Sequence, residues 1–184
     1  MKKVVSTNIG KREIHSWKGK TVETGIFKKP TISPIFLDVE DVENDAVVDR
    51  KYHGGIEQAV YAYNSNHYEY WKKLYPQLDF NFGMFGENLT IADLDETTIC
   101  IGDVYKIGNA LVEVTKPREP CFKLIFRFQD DAIVTQFWNT SFCGVYFKIL
   151  ETGSVSQDDE MVLIKKSSNM NTIAEVYENL KPKK

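Results

Sequence analysis

Of the residues able to do chemistry, Cys121 has the most suggestive surroundings. In TKPREPCFKL it follows Pro120 and sits among Lys116, Arg118 and Lys123, with Glu119 the one opposing charge. Cations nearby, or the start of a helix, lower a thiol pKa from ~8.5 toward neutrality, and the thiolate is both the nucleophile and the soft metal ligand. Pro120 suits a first helical position. The helix itself is ambiguous, because CFKLIFRF satisfies a helical period (Cys121, Leu124, Ile125, Phe128) and a strand period (Phe122, Leu124, Phe126, Phe128). A small buried hydrophobe, the commonest fate of a free cysteine, is the competing reading, and local charge leaves both open. Cys100 in TTICIGD and Cys143 in SFCGVYF have apolar surroundings without cations and read as core. Three cysteines without a CxxC pair argue against a disulfide framework or a zinc knot.

Two further segments carry weaker signals. DRKYHGGIEQAVYAY places Asp49, Arg50, Lys51 and His53 before Gly54 and Gly55, whose freedom permits a tight turn with exposed N–H groups, a cradle for an anion. GMFGENLTI sets Glu87 and Asn88 after Gly86, a pair that either closes a turn or hydrogen-bonds a polar ligand. His67 falls on the apolar face of a helical stretch and His15 in a loop. The phosphate-loop, dinucleotide, serine-hydrolase and zincin signatures are absent.

The elements that must position these residues are mainly strands. Short runs rich in branched and aromatic residues recur at Val4 to Ser6, Ile35 to Val39, Ala59 to Tyr63, Thr98 to Ile101, Val104 to Ile107, Leu111 to Thr115, Val145 to Leu150 and Met161 to Lys165. Turns at Gly102-Asp103 and Gly108-Asn109 make residues 97 to 115 a meander and predict an antiparallel, barrel-like sheet. Helical spacing interrupts it at His67/Trp71/Leu74/Leu78, at Ile133/Val134/Phe137/Trp138 and at Ile173/Val176/Tyr177/Leu180. The last has capping-box spacing between Thr172 and Glu175. The fold class is therefore mainly β with inserted helices, an α+β arrangement. Residues 1–165 form one domain, and 166–184 are a polar linker, a short helix and a basic tail.

With 184 residues, 42% of them hydrophobic, the chain can bury one core. A net charge of −3 lacks the basic footprint of general nucleic-acid binding, so any basic site must be local. The acidic stretch Asp38, Glu40, Asp41, Glu43 and Asp45 reads as a solvated loop, with a docking face for a basic partner as the alternative. No apolar run is long enough for a membrane span, and MKKVVSTNIG is too weakly hydrophobic for a secretory signal, so a cytoplasmic location is expected.

Together these segments resemble the MOSC domain family, named after the C-terminal part of molybdenum-cofactor sulfurases, in its stand-alone bacterial YiiM-like branch. TGIFKKP, DRKYHGGIEQAVYAY, HYEYW, FGENLT, IGD, KPREPCFKL and CGVYFKIL stand in the family's order across nearly the whole chain. The resemblance implies a β-barrel-like fold binding a molybdenum–pterin cofactor (molybdopterin), with Cys121 as metal ligand and catalytic thiolate. It implies that Arg118, and with it Lys116, Lys123 and Lys28, bind phosphate or metal-oxo oxygens. His53, Gly54 and Gly55 would line the pocket, Glu87 and Asn88 would hydrogen-bond the pterin or fix the cysteine loop, and Asp49 would orient a basic neighbour. The implied activity is an oxidoreductase acting on N-hydroxylated compounds, including hydroxylaminopurines. With no flavin or iron–sulfur motif in the chain, an external redox protein must donate the electrons. The alternative is a noncatalytic carrier holding a persulfide, or the cofactor itself, on Cys121. Relatives of this branch often carry a three-helix C-terminal extension, of which one helix is evident here.

Overall fold

The computed structural model describes residues 1–48 and 54–183. Among the described residues, twelve strands and four short α-helices follow the expected mixture. An eight-stranded sheet dominates, in the order β12(Met161–Lys165), β8(Val104–Ile107), β9(Ala110–Pro117), β10(Val145–Glu151), β6(Val60–Asn64), β7(Leu89–Ala92), β1(Lys3–Gly10), β4(Lys28–Thr31). Every neighbouring pair is antiparallel except β6 and β7. A parallel pair needs a crossover, and here the chain between the two strands holds α1(Tyr68–Leu74) and a long loop. The sheet curls without closing. Val4 N donates to the Asp159 carbonyl and Met161 N to that of Lys2, bringing the far edge back toward β1.

Two small sheets sit outside it, one pairing β5(Ile35–Leu37) with β11(Gly153–Val155), the other the hairpin of β2(Glu13–Trp17) and β3(Lys20–Thr24). That hairpin contradicts the loop reading of His15, which lies in β2 stacked on Phe27 at 4.6 Å. Thr98 to Ile101 is not a strand either. Asp103 turns that segment by accepting from Cys100 N at 2.9 Å.

The core is unusually aromatic. Trp71, Tyr63, Phe85, Phe128 and Phe137 are all fully buried, with Tyr63 stacked on Phe85 at 4.2 Å and the Trp71 indole N–H donating to Tyr63 at 2.8 Å. This cluster belongs to the main core and backs the cysteine segment, because α2(Leu124–Phe128) and α3(Ile133–Trp138) pack Phe128 and Phe137 into it. The ambiguous CFKLIFRF stretch thus resolves as a helical turn, whose buried face uses Leu124 and Phe128. At the C-terminus, Asp103 accepts from Lys166 at 2.7 Å and from Ser167 N at 2.9 Å. The Thr172/Glu175 capping box then starts α4(Ile173–Leu180), which buries Ile173 and Tyr177, with Tyr177 stacked on Trp138 at 4.9 Å. Among the described residues no helix is long and apolar enough to cross a membrane.

Candidate functional site

Cys121 follows β9 by four residues and opens the turn into α2, its carbonyl accepting from Leu124 N at 3.1 Å. It is half-buried and lines a cleft open to solvent. Arg118, Lys28, Lys123, Asn88 and Gly54 line the same cleft. Two of its walls meet at Gly25, where a side chain is excluded because a Cβ would lie 1.9 Å from the Ala46 carbonyl oxygen. Close approach of these loops shapes the mouth.

Arg118 is the electrostatic centre. The residue is 5% exposed, its guanidinium lies 5.0 Å over Tyr61 and 5.6 Å over Phe137, and its Nη1 has no hydrogen-bond partner among the described residues. Burial works against its charge, but Tyr61, Tyr146 and Cys121 favour the cation and raise its pKa above the ordinary guanidinium value. Burial also pushes both phenols up, against the pull of Arg118. An unpartnered N–H on a buried cation is costly, and an anion in the cleft would satisfy it.

Lys28 reaches the cleft at 7% exposure, ion-paired with Asp45. Asp45 in turn accepts from Asn88 Nδ2 at 2.9 Å and Gly10 N at 2.8 Å. Asn88 therefore ties this pair to the sheet, its Nδ2 also reaching the Asn8 carbonyl at 3.4 Å. The expectation for Asp45 fails: with 2% of its side chain exposed it is a cleft residue, not part of a solvated loop. Nothing in the spacing of the acidic run distinguished it, because its partner Lys28 lies far away in sequence. Tyr61 and Tyr146 were legible only as strand residues, yet both line the cleft.

Three other expected site residues sit elsewhere. Glu87, 0% exposed, is outside the cleft lining and accepts from Gly83 N at 2.8 Å, Phe85 N at 3.1 Å, Thr90 Oγ1 at 2.8 Å and the Tyr68 hydroxyl. It fastens the 83–90 loop, and Gly86 at φ 79° makes that loop's tight turn possible while lining the cleft itself. Lys116 is half-buried on β9 opposite Tyr146 and does not line the cleft. Gly55 caps the short turn Ile56–Gln58, its N–H donating to the Glu40 carbonyl at 2.9 Å. Asp49 and His53 lie outside the described residues. Cys100 and Cys143 are buried as expected.

The donor set points to a particular kind of metal complex. Among the described residues no group of three or more His, Cys, Asp or Glu could cage an ion. A lone accessible thiol beside buried cations suits a metal that arrives with its own anionic ligands, the thiol completing its coordination. A molybdenum–pterin cofactor is such a group, and these residues fit it.

The model of the MOSC domain matches residues 49–162, most of the chain and the whole span from the Gly54 turn through Cys121 to β12. The chain belongs to the MOSC domain family. Within it the YiiM-like branch is the match: the crystal structure of YiiM from Geobacillus stearothermophilus superposes with a TM-score of 0.80 at 32% identity, over 97% of this chain and 85% of that one. YflK of Bacillus subtilis, an uncharacterized protein, is 40% identical over 161 residues, 88% of this chain and 72% of YflK. A protein from Gibberella moniliformis named "Reductase" is 34% identical over 151 residues, 80% of this chain but 27% of its own length.

The orphaned Arg118 N–H gives a direct prediction. Phosphate at about ten times its Kd is expected to stabilise the protein by ~1.4 kcal/mol and raise Tm by roughly 3–6 °C. Arg118→Met should abolish that rise while still unfolding cooperatively in phosphate-free buffer. Thermal scans with and without phosphate check both parts, and a rise of equal size in the variant refutes the assignment.

Proposed function

We propose that this MOSC protein binds the molybdenum cofactor and reduces N-hydroxylated compounds, hydroxylaminopurines among them, with electrons from an external donor. The observation that carries the reading is the buried Nη1 of Arg118, without a partner among the described residues, in the cleft that Cys121 lines. A thiol and a buried cation in one cleft suit a ligand that is at once anionic and metal-bearing. The name of the fungal relative supports an oxidoreductase.

When bound, the cofactor supplies the two-electron chemistry that removes the N-bound oxygen; overall, the hydroxylamine takes up two electrons and two protons and leaves as amine and water. Cys121 would hold the metal. Arg118 would meet the phosphate or oxo oxygens, its position fixed by Tyr61 and Phe137. Asp45 and Asn88 hold Lys28 at the cleft wall, so this cation stays oriented whether or not a ligand is present. Tyr61 and Tyr146, their rings 5.1 Å apart, offer flat apolar faces beside the charged groups, suited to a planar heterocycle.

The expected result is that protein purified from a cofactor-producing host converts a hydroxylaminopurine to the aminopurine with dithionite-reduced viologen as donor. Cofactor-free protein should not. Metal-loaded protein that leaves the substrate untouched, while intact mass finds one extra sulfur atom on Cys121, would replace the reductase by a sulfur carrier.

A further inference from the structure

The hairpin of β2 and β3 concentrates the positive charge that the chain as a whole lacks. Residues 10–30 hold six cations, Lys11, Arg12, Lys18, Lys20, Lys28 and Lys29, against Glu13 and Glu23, in a chain of net charge −3. Lys28 faces the cleft, but the other five are exposed. Both carboxylates are already engaged, Glu23 by Arg12 and Glu13 by His15 at 3.1 Å. Among the described residues no carboxylate lies within ion-pair distance of Lys11, Lys18, Lys20 or Lys29. An exposed Ile14, 67% accessible, lies among them.

The position of this patch matters more than its charge. Trp17, at the hairpin tip, stacks on Phe122 with ring centroids 4.5 Å apart, and Phe122 is the residue after Cys121. Lys18 lies 4.5 Å over the same Trp17 ring. Farther along, His15 stacks on Phe126 at 5.1 Å. The hairpin therefore rests on the cysteine segment through stacked rings, and one stacked pair links the basic tip to the Cys121 loop. Exposed cations around a small apolar centre form the kind of surface that steers an oppositely charged protein into a brief, salt-sensitive encounter. Weak redox encounters use small interfaces of this kind.

We infer that the β2–β3 hairpin is the docking surface for an acidic electron-carrier protein, which delivers electrons beside Cys121. The inference rests on the reductase reading, whose two electrons per turnover must arrive from outside the chain. A one-electron carrier docks there twice per cycle.

The test titrates the full chain with a bacterial flavodoxin, an acidic carrier, and follows binding by calorimetry at low and high salt, so that docking is read without turnover. Wild-type protein should bind, and affinity should fall several-fold between about 20 and 200 mM salt. The double variant Lys18→Glu, Lys20→Glu should bind at least roughly tenfold more weakly at low salt and keep the wild-type Tm. On cofactor-loaded protein it should lose flavodoxin-driven turnover while turnover with reduced viologen stays unchanged. Absence of flavodoxin binding to wild-type protein, or equal binding by the variant, overturns the docking surface. So does a single-stranded RNA oligomer that binds more tightly than flavodoxin. Failure of viologen-driven turnover with docking intact removes the reductase reading instead.

Discussion

Cys121→Ala is expected to lower bound molybdenum at least about tenfold in protein from a cofactor-producing host, with little change in folding stability, whereas Cys143→Ala retains the metal and is destabilised by about 1–2 kcal/mol. The contrast follows from where the two sulfurs sit. Cys121 is half-exposed at the cleft, in a turn whose fold is held by Pro120, Leu124 and the Phe122 stack rather than by the thiol. Removing its sulfur leaves no buried cavity. Cys143 is 0% exposed in the main core, and burial pushes its thiol pKa up, with the nearby Glu96 adding to the shift. A thiol held neutral in an apolar setting is no metal ligand, but its loss leaves a void. Elemental analysis paired with urea denaturation separates the two effects. Equal metal retention by both variants would sink the ligand assignment.

The strand-rich architecture was legible because most strands announce themselves by branched and aromatic runs between glycines. The β2–β3 hairpin was not. Its strands, EIHSW and KTVET, are short and polar, and what fixes them is the stacking of Trp17 on Phe122 and of His15 on Phe126, far along the chain. The parallel β6–β7 pair was hidden for a similar reason, since alternation marks a strand without naming its neighbour.

For the cleft, charge around Cys121 was readable locally because Arg118 and Lys123 are its near neighbours in sequence. Composition could not assign Lys116 and Lys123 different fates. Lys116 lies on β9 opposite Tyr146 and outside the cleft lining, whereas Lys123, already in the helical turn, reaches the cleft. Asp45 is the clearest loss. Its function depends on one long-range ion pair with Lys28, and an acidic run offers no sign of which carboxylate is buried.

Glu87 is where the sequence assignment and the geometry diverge most, and the divergence has a large expected effect. Its two oxygens accept from two backbone N–H groups and two hydroxyls in a fully buried site. Glu87→Ala would leave those donors without an acceptor and without water, a cost of about 3–5 kcal/mol for a buried network of this kind. Much of a domain's ~5–15 kcal/mol of stability would be gone. Glu87→Gln keeps the volume but turns donors toward donors, and should fall between wild type and Ala. Urea denaturation should give a lower midpoint at unchanged slope for both variants, and the protein that remains folded should still bind phosphate through Arg118. Because Glu87 holds the loop ending in Asn88, which in turn holds Asp45 and Lys28, its influence on the cleft is through position. An unchanged midpoint with phosphate binding lost would instead make Glu87 a direct ligand contact.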